Sequence, residues 1–229
     1  MSLLDVIGPV MVGPSSSHTA GACRIALLAR HTLGAEPQRA TVTLHGSFAK
    51  TGKGHGTHLA LTAGLLGSYP DDPQIPNAQS LAAAAGLELT FEEKDLGDVH
   101  PNTVRLALEA GESRVTVTGS SLGGGLVTII GVNDFESNFS GSYHTLLLEH
   151  EDKPGVIARV ARVLADDEVN IATLYCARKR RGGRALMSVE IDRRLAPYAL
   201  TYLHHQPYCS WVRLLPEVMR GDEPTAEAL

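Results

Sequence analysis

Aromatic side chains are scarce in this sequence. They make up 5% of its 229 residues, with one tryptophan, so small aliphatic side chains must fill the interior. Cysteine is scarcer still: Cys23, Cys176 and Cys209 are the three present. They lie far apart and form no C-x-x-C pair, which argues against a disulfide framework. An iron–sulfur cluster takes several thiolates, so this chain by itself is a poor holder for one. Three buried or idle thiols are expected instead. Positive charge is not in excess either: 20 Lys and Arg stand against 25 Asp and Glu, a formal charge of −5. That argues against a surface given over to nucleic acid. No apolar run approaches the roughly 20 residues of a membrane span. The opening residues show no basic stretch followed by an apolar one. A cytoplasmic location is expected, with neither nucleic acid nor membrane as partner. Hydrophobic residues, at 43%, suffice for a core and speak against disorder.

The composition shifts near residue 133, from Gly-, His-, Ser- and Thr-rich to regular and charged. Four segments are expected: a first domain over 1–132, a linker over 133–142, a second domain over 143–219 and a frayed tail over 220–229. The second domain reads as β-α-β-β-α-β, a ferredoxin-like unit. Its first strand covers Thr145–His150. Asp152 is a candidate N-cap for the helix that follows, in which Val156, Ile157, Val160, Val163 and Leu164 form one apolar face. Strands over Asn170–Arg178 and Ala185–Asp192 flank a hairpin tip. A helix over Pro197–His205 and a strand over Cys209–Leu215 complete the unit. The last two strands are expected to pair across two copies. The first domain reads as α+β with a mixed or antiparallel sheet. Helices are expected over Thr19–Leu33, His58–Leu66 and Ala78–Ala85. Strands are expected over Ala40–Phe48, Leu87–Glu92, Val104–Leu108, Arg114–Thr118 and Leu126–Val132.

Four compact motifs carry chemistry. The densest is Gly13-Pro14-Ser15-Ser16-Ser17-His18-Thr19, where hydroxyls and an imidazole sit at a helix start. Free N–H groups and the positive dipole end there favour an anion such as a carboxylate. A plain N-cap needs only one such hydroxyl. The second runs from Gly46 to His58 and contains Gly52-Lys53-Gly54-His55-Gly56-Thr57. It lacks the Walker spacing, because Gly54 follows Lys53, so nucleotide binding is poorly supported. His55 and His58 have i, i+3 spacing that could suit a metal, but no carboxylate or cysteine follows at ligand spacing. The third is His100-Pro101-Asn102-Thr103, readable as a polar knot or an ordinary turn. The fourth is Gly119–Gly125. Its Gly123, Gly124 and Gly125 allow close backbone approach to a ligand, or simply form a hairpin. The basic run Arg178–Arg181 with Arg184 reads as a solvated hairpin tip.

In this order the motifs resemble the beta subunit of the bacterial two-subunit iron–sulfur L-serine dehydratases. The resemblance rests on Ile7-Gly8-Pro9 with the Gly13–Ala22 stretch, Gly46-Ser47-Phe48-Ala49, Gly54-His55-Gly56-Thr57, His100-Pro101-Asn102-Thr103 and the Gly123-Gly124-Gly125 turn. It covers roughly residues 3–216. The second half is similar to an ACT domain, through Lys153-Pro154-Gly155-Val156. One departure stands out: His58 occupies a position where the family commonly has an acidic residue. The resemblance implies conversion of L-serine to pyruvate and ammonia, feeding gluconeogenesis and serine breakdown. It implies a 4Fe-4S cluster carried by a separate alpha subunit, whose open iron supplies Lewis acidity, and no metal ligand in this chain. His18, His55 and His100 are the candidate catalytic residues. Ser15, Ser16, Ser17, Thr19, Thr57, Asn102, Thr103 and Gly124 are the candidate substrate contacts. Self-association through the ACT unit is expected. Two other classes stay open: an amino-acid-sensing ACT protein without catalysis of its own, and a zinc hydrolase built on His18, His55 and His58.

Overall fold

The structure is a computed structural model and describes residues 9–219. The expected tail over 220–229, and Ile7 and Gly8, lie outside the described residues. The chain enters its first helix at Ser15, whose backbone is extended and whose hydroxyl accepts the His18 N–H at 3.3 Å. A π-helical turn over Ser16–Gly21 then tightens into α1, Ala22–Leu33. Ala22, Ile25, Leu28 and Ala29 on α1 are all buried, because a sheet lies on one side and a second helix on the other.

That sheet has the order β2-β1-β3-β4-β5-β6. Its strands are β1 (Arg39–Leu44), β2 (Glu88–Glu93), β3 (Thr103–Ala110), β4 (Ser113–Gly123), β5 (Leu126–Val132) and β6 (Phe135–Phe139). Only β1 and β2 run parallel; the other pairs are antiparallel, so the sheet is mixed, as expected. Val42, Leu106, Val117 and Ile129 make its buried face against α1. The expected strand over Ala40–Phe48 stops at Leu44. The His45 N–H makes the last ladder bond, to the Thr103 carbonyl at 3.1 Å. Gly46, at φ +54°, then turns the chain into α2, Gly46–Thr51, which drops Phe48 into the core. Helix α3, Thr57–Leu66, crosses α1 on its far side. A 3-10 turn, Ile75–Asn77, leads into α4, Ala78–Ala84.

The segment 133–142 is not a linker. Its β6 is the edge strand of the first sheet, held to β5 through Ile129 and Phe139, because Phe135 and Phe139 have apolar neighbours to pack against. The second sheet follows at once, in the order β10-β7-β9-β8. It comprises β7 (His144–Glu151), α5 (Val156–Asp166), β8 (Ile171–Arg178), β9 (Arg184–Ile191), α6 (Pro197–His204) and β10 (Cys209–Leu215). This is the expected ferredoxin-like unit. Two local expectations fail. Ile157 is 46% exposed, since it stands about 100° round the helix from Val156, while Val156, Val160 and Leu164 are buried. Asp152 does not cap α5. It accepts the Gly182 N–H and an Arg178 N–H at the hairpin base, and Gly155 takes the cap position. Strand β9 lies between β7 and β8, so it offers no edge to a second copy; β8 and β10 do.

The helix-free face of this second sheet packs on the first domain. Leu147, Leu186 and Leu215 join the core around α1, and Ser140 donates its N–H and hydroxyl to Glu190 at 2.8 and 2.7 Å. Among the described residues, no helix is long and apolar enough to cross a membrane.

Candidate functional site

The four sequence motifs meet at the N-terminal end of α1. His18 is their centre and is 8% exposed. Its Nε2 lies 3.0 Å from the Thr51 hydroxyl and 3.4 Å from that of Ser47. The Thr51 hydroxyl gives its one hydrogen to the Ser47 carbonyl at 2.9 Å, as an i, i+4 bond within α2. While that bond is made, it accepts from His18 Nε2, the tautomer in which Nδ1 carries the lone pair. The Nδ1 lone pair is left facing the Ser15 hydroxyl at 3.5 Å. Phe48 meets the ring edge-on at 5.2 Å, and the His55 ring stands 4.9 Å away. Burial, and then the neighbouring His55, hold the His18 imidazole below the usual histidine range, against a smaller raising effect from Ser47. His18 is thus a neutral, desolvated base at neutral pH.

His55 follows α2 in the glycine-rich turn. Its Nδ1 donates to the Thr51 carbonyl at 3.0 Å. The Thr19 hydroxyl donates to the His55 carbonyl at 3.4 Å, tying this turn to the first helix. Ser15, His18, Thr19 and His55 are therefore gathered as expected, and Ser16 and Ser17 share their turn. Ser47 and Thr51 belong with them and were not singled out from sequence. Their i, i+4 spacing was a helix signal, hidden by the assumption of a strand running to Phe48.

The third motif reaches the same place through backbone. Ser47 N–H donates to the Pro101 carbonyl at 2.8 Å, and Ser121 N–H to the Asn102 carbonyl at 2.9 Å. Four buried side-chain atoms in these segments have no partner: Thr57 Oγ1, His58 Nδ1, Asn102 Oδ1 and Ser121 Oγ. Leaving such groups unsatisfied costs about 1–3 kcal/mol each. Other candidates are spent elsewhere. His100 is exposed, and its Nδ1 accepts the N–H of Asn102 within its own turn. The Thr103 hydroxyl is bonded to the His100 carbonyl and to Ser120, at 2.6 and 2.7 Å. Gly124 lies exposed at the hairpin tip.

The three thiols do not fit a shared iron–sulfur cluster. Cys23 is buried, donates to the Ser68 carbonyl at 3.2 Å, and is pushed up to about 12 by burial. Cys176 and Cys209 lie on β8 and β10, the opposite edges of the second sheet. The three-histidine set does not assemble either, because His58 turns away to pack on Phe91 at 4.5 Å. Among the described residues, no three His, Cys, Asp or Glu side chains gather to hold a metal.

Residues 2–88 match the family described as serine dehydratase beta chain, and residues 146–199 match an ACT domain like that of AHAS small subunits. The "Probable L-serine dehydratase, beta chain" of Bacillus subtilis is 44% identical over 206 residues, covering 90% of this chain and 94% of its own. The chain belongs to the serine dehydratase beta-chain family. A second member, the "L-serine dehydratase, beta chain" of Peptoniphilus asaccharolyticus, is 43% identical over 85% of this chain and 88% of its own. A more distant relative, the D-3-phosphoglycerate dehydrogenase of Bacillus subtilis, is 27% identical over 78% of this chain but only 34% of its own length.

Proposed function

We propose that this chain is the beta subunit of an L-serine dehydratase, an L-serine ammonia-lyase that works with an alpha subunit. Loss of the serine α-proton and of its hydroxyl as water leaves an enamine, which hydrolyses to pyruvate and ammonia. The 4Fe-4S cluster belongs to the alpha subunit, and this chain's scattered thiols support that division. The setting is the cytoplasm, where the pyruvate serves gluconeogenesis.

The observation that carries the site is the pairing of two imidazoles, His18 and His55, within a shell of hydroxyls at a helix start. The positive end of the helix favours the serine carboxylate, with Ser15, Ser16, Ser17 and Thr19 around it. Thr57 and Asn102 offer unpartnered polar atoms to the rest of the substrate. His18 Nδ1, beside the Ser15 hydroxyl, and His55 Nε2 are the atoms assigned to carry a proton. The exposed His100 is the weakest of the three histidine candidates, and Thr103 and Gly124 contribute shape. Self-association through an ACT sheet edge, β8 or β10, completes the assembly.

The test is anaerobic purification of the tagged chain from cells that also express its partner. A brown, cysteine-rich chain retained in equal amount supports the proposal. Purification of this chain alone, colourless under the same conditions, counts against it.

A further inference from the structure

The first turn of α1 holds a charged side chain that the site just described does not use. Arg24 is 5% exposed, flanked in its helix by the buried apolar residues Cys23, Ile25, Leu27 and Leu28. Its Nη1 donates to the Gly125 carbonyl at 2.8 Å and its Nη2 to the Met219 carbonyl at 2.9 Å, while Nε has no partner among the described residues. A buried guanidinium satisfied by two carbonyl dipoles is costly, and an apolar side chain of similar volume would pack at less cost. Its use here calls for a purpose that packing does not supply.

The two carbonyls come from distant parts of the chain. Gly125 closes the β4–β5 glycine turn at φ +80°, and a Cβ there would stand 2.6 Å from Arg24 Nη1 and 2.9 Å from the Pro9 ring. The same hairpin presses on the serine-rich turn: a Cβ on Gly21 would meet the Ser121 hydroxyl at 2.0 Å. Ser121 also takes the Asn102 carbonyl. Fixing Gly125 therefore restrains the hairpin that carries Ser121, which packs on the serine-rich turn and is tied to Asn102. Met219 lies on the segment that follows β10 of the ACT unit. That segment is anchored by the buried Val218, whose N–H donates to the Gly141 carbonyl at 2.9 Å.

We propose that Arg24 is a positioning residue for serine turnover: its forked guanidinium joins the segment after β10 to the glycine turn and so sets the wall of the substrate site. This rests on the function proposed above. A fork is needed because two acceptors on opposite sides must be reached at once, which a lysine ammonium on a single stem does not do as well.

The test uses the two-chain complex carrying Arg24→Met, Arg24→Lys, or a truncation after Val218 that removes the Met219 acceptor. Each should lower kcat/KM for L-serine by about 10-fold to 100-fold, the scale of a misplaced substrate wall, with Lys failing to rescue. Amide exchange at Ser121, whose N–H is held by Asn102, should quicken in the same variants, while β7 and β9 amides keep their wild-type rates. If Arg24→Met keeps kcat/KM and Ser121 exchange within twofold of wild type, the proposal is overturned. If it fails to fold, the truncation decides by the same criteria. A wild-type complex inactive on serine contradicts the proposed function instead, and the exchange rates still report whether Arg24 holds the turn.

Discussion

Replacing His18 by alanine separates a chemical role from a structural one, because the two predict losses of different size. Structurally, the imidazole gives one hydrogen bond to Thr51 and one edge-on contact with Phe48. Those contribute about 0.5–1.5 kcal/mol each. The offset is the cost of burying a titratable ring whose charged form is already disfavoured. A net loss of about 1–2 kcal/mol should lower the melting midpoint by roughly 2–8 °C in a chain of this size. Chemically, the proposed function makes His18 a base, with its Nδ1 3.5 Å from the Ser15 hydroxyl. Loss of such a group costs about 100-fold to 10,000-fold in rate, or roughly 3–5 kcal/mol of barrier. The catalytic loss should therefore exceed the stability loss. The assay is steady-state pyruvate formation by the two-chain complex, with thermal melting and partner retention as controls. Near-normal turnover, or collapse of the fold in place of a small melting shift, would refute the assignment of His18.

Ser17→Ala should raise KM for serine about 3-fold to 10-fold with kcat held, since it removes one contact shared by ground and transition states. Measured separately, kcat and KM check this. Stability should fall on the acid side through His31, whose imidazole is pushed down to about 4 by burial and then by Arg30. The unfolded chain then binds more protons than the folded one between pH 6.5 and 4. Stability is complete above that window and is lost as pH falls through it, by no more than about 3 kcal/mol. In denaturant melts across pH 4–7, wild type should lose stability relative to His31→Gln as pH falls. Light scattering on the full chain should show a dimer through an ACT edge. The isolated second domain is unsuited to that test, because Leu147, Leu186 and Leu215 would lose their cover. A strict monomer at high concentration contradicts the pairing.

The second domain was legible in the sequence because each element carries one clear period. Val156, Val160 and Leu164 mark a helix face, and Ala185, Met187, Val189 and Ile191 alternate along a strand. Its capping was not legible: Asp152 is a good cap residue by type, and only the fold reveals that the hairpin base claims it first. Phe135 and Phe139 were hidden among Asn, Ser and Gly, where local composition outweighed a pairing partner known only in three dimensions. The site was legible as a set of motifs but not as a geometry. His18 and His55 stood out as imidazoles in glycine- and serine-rich surroundings. Ser47 and Thr51 did not, because α2 lies behind a glycine turn that strand periodicity overran. Arg24 was invisible among apolar neighbours, since both its partners are backbone carbonyls that carry no sequence signal.

The most direct measurement of the central claim is pyruvate formation from L-serine by this chain, by its alpha partner, and by the two combined after anaerobic iron–sulfur reconstitution. The claim predicts no turnover and no stable visible absorbance for this chain alone, and serine-dependent pyruvate from the combination. A stable cluster with turnover in this chain by itself, or a combination inactive on serine, would contradict it.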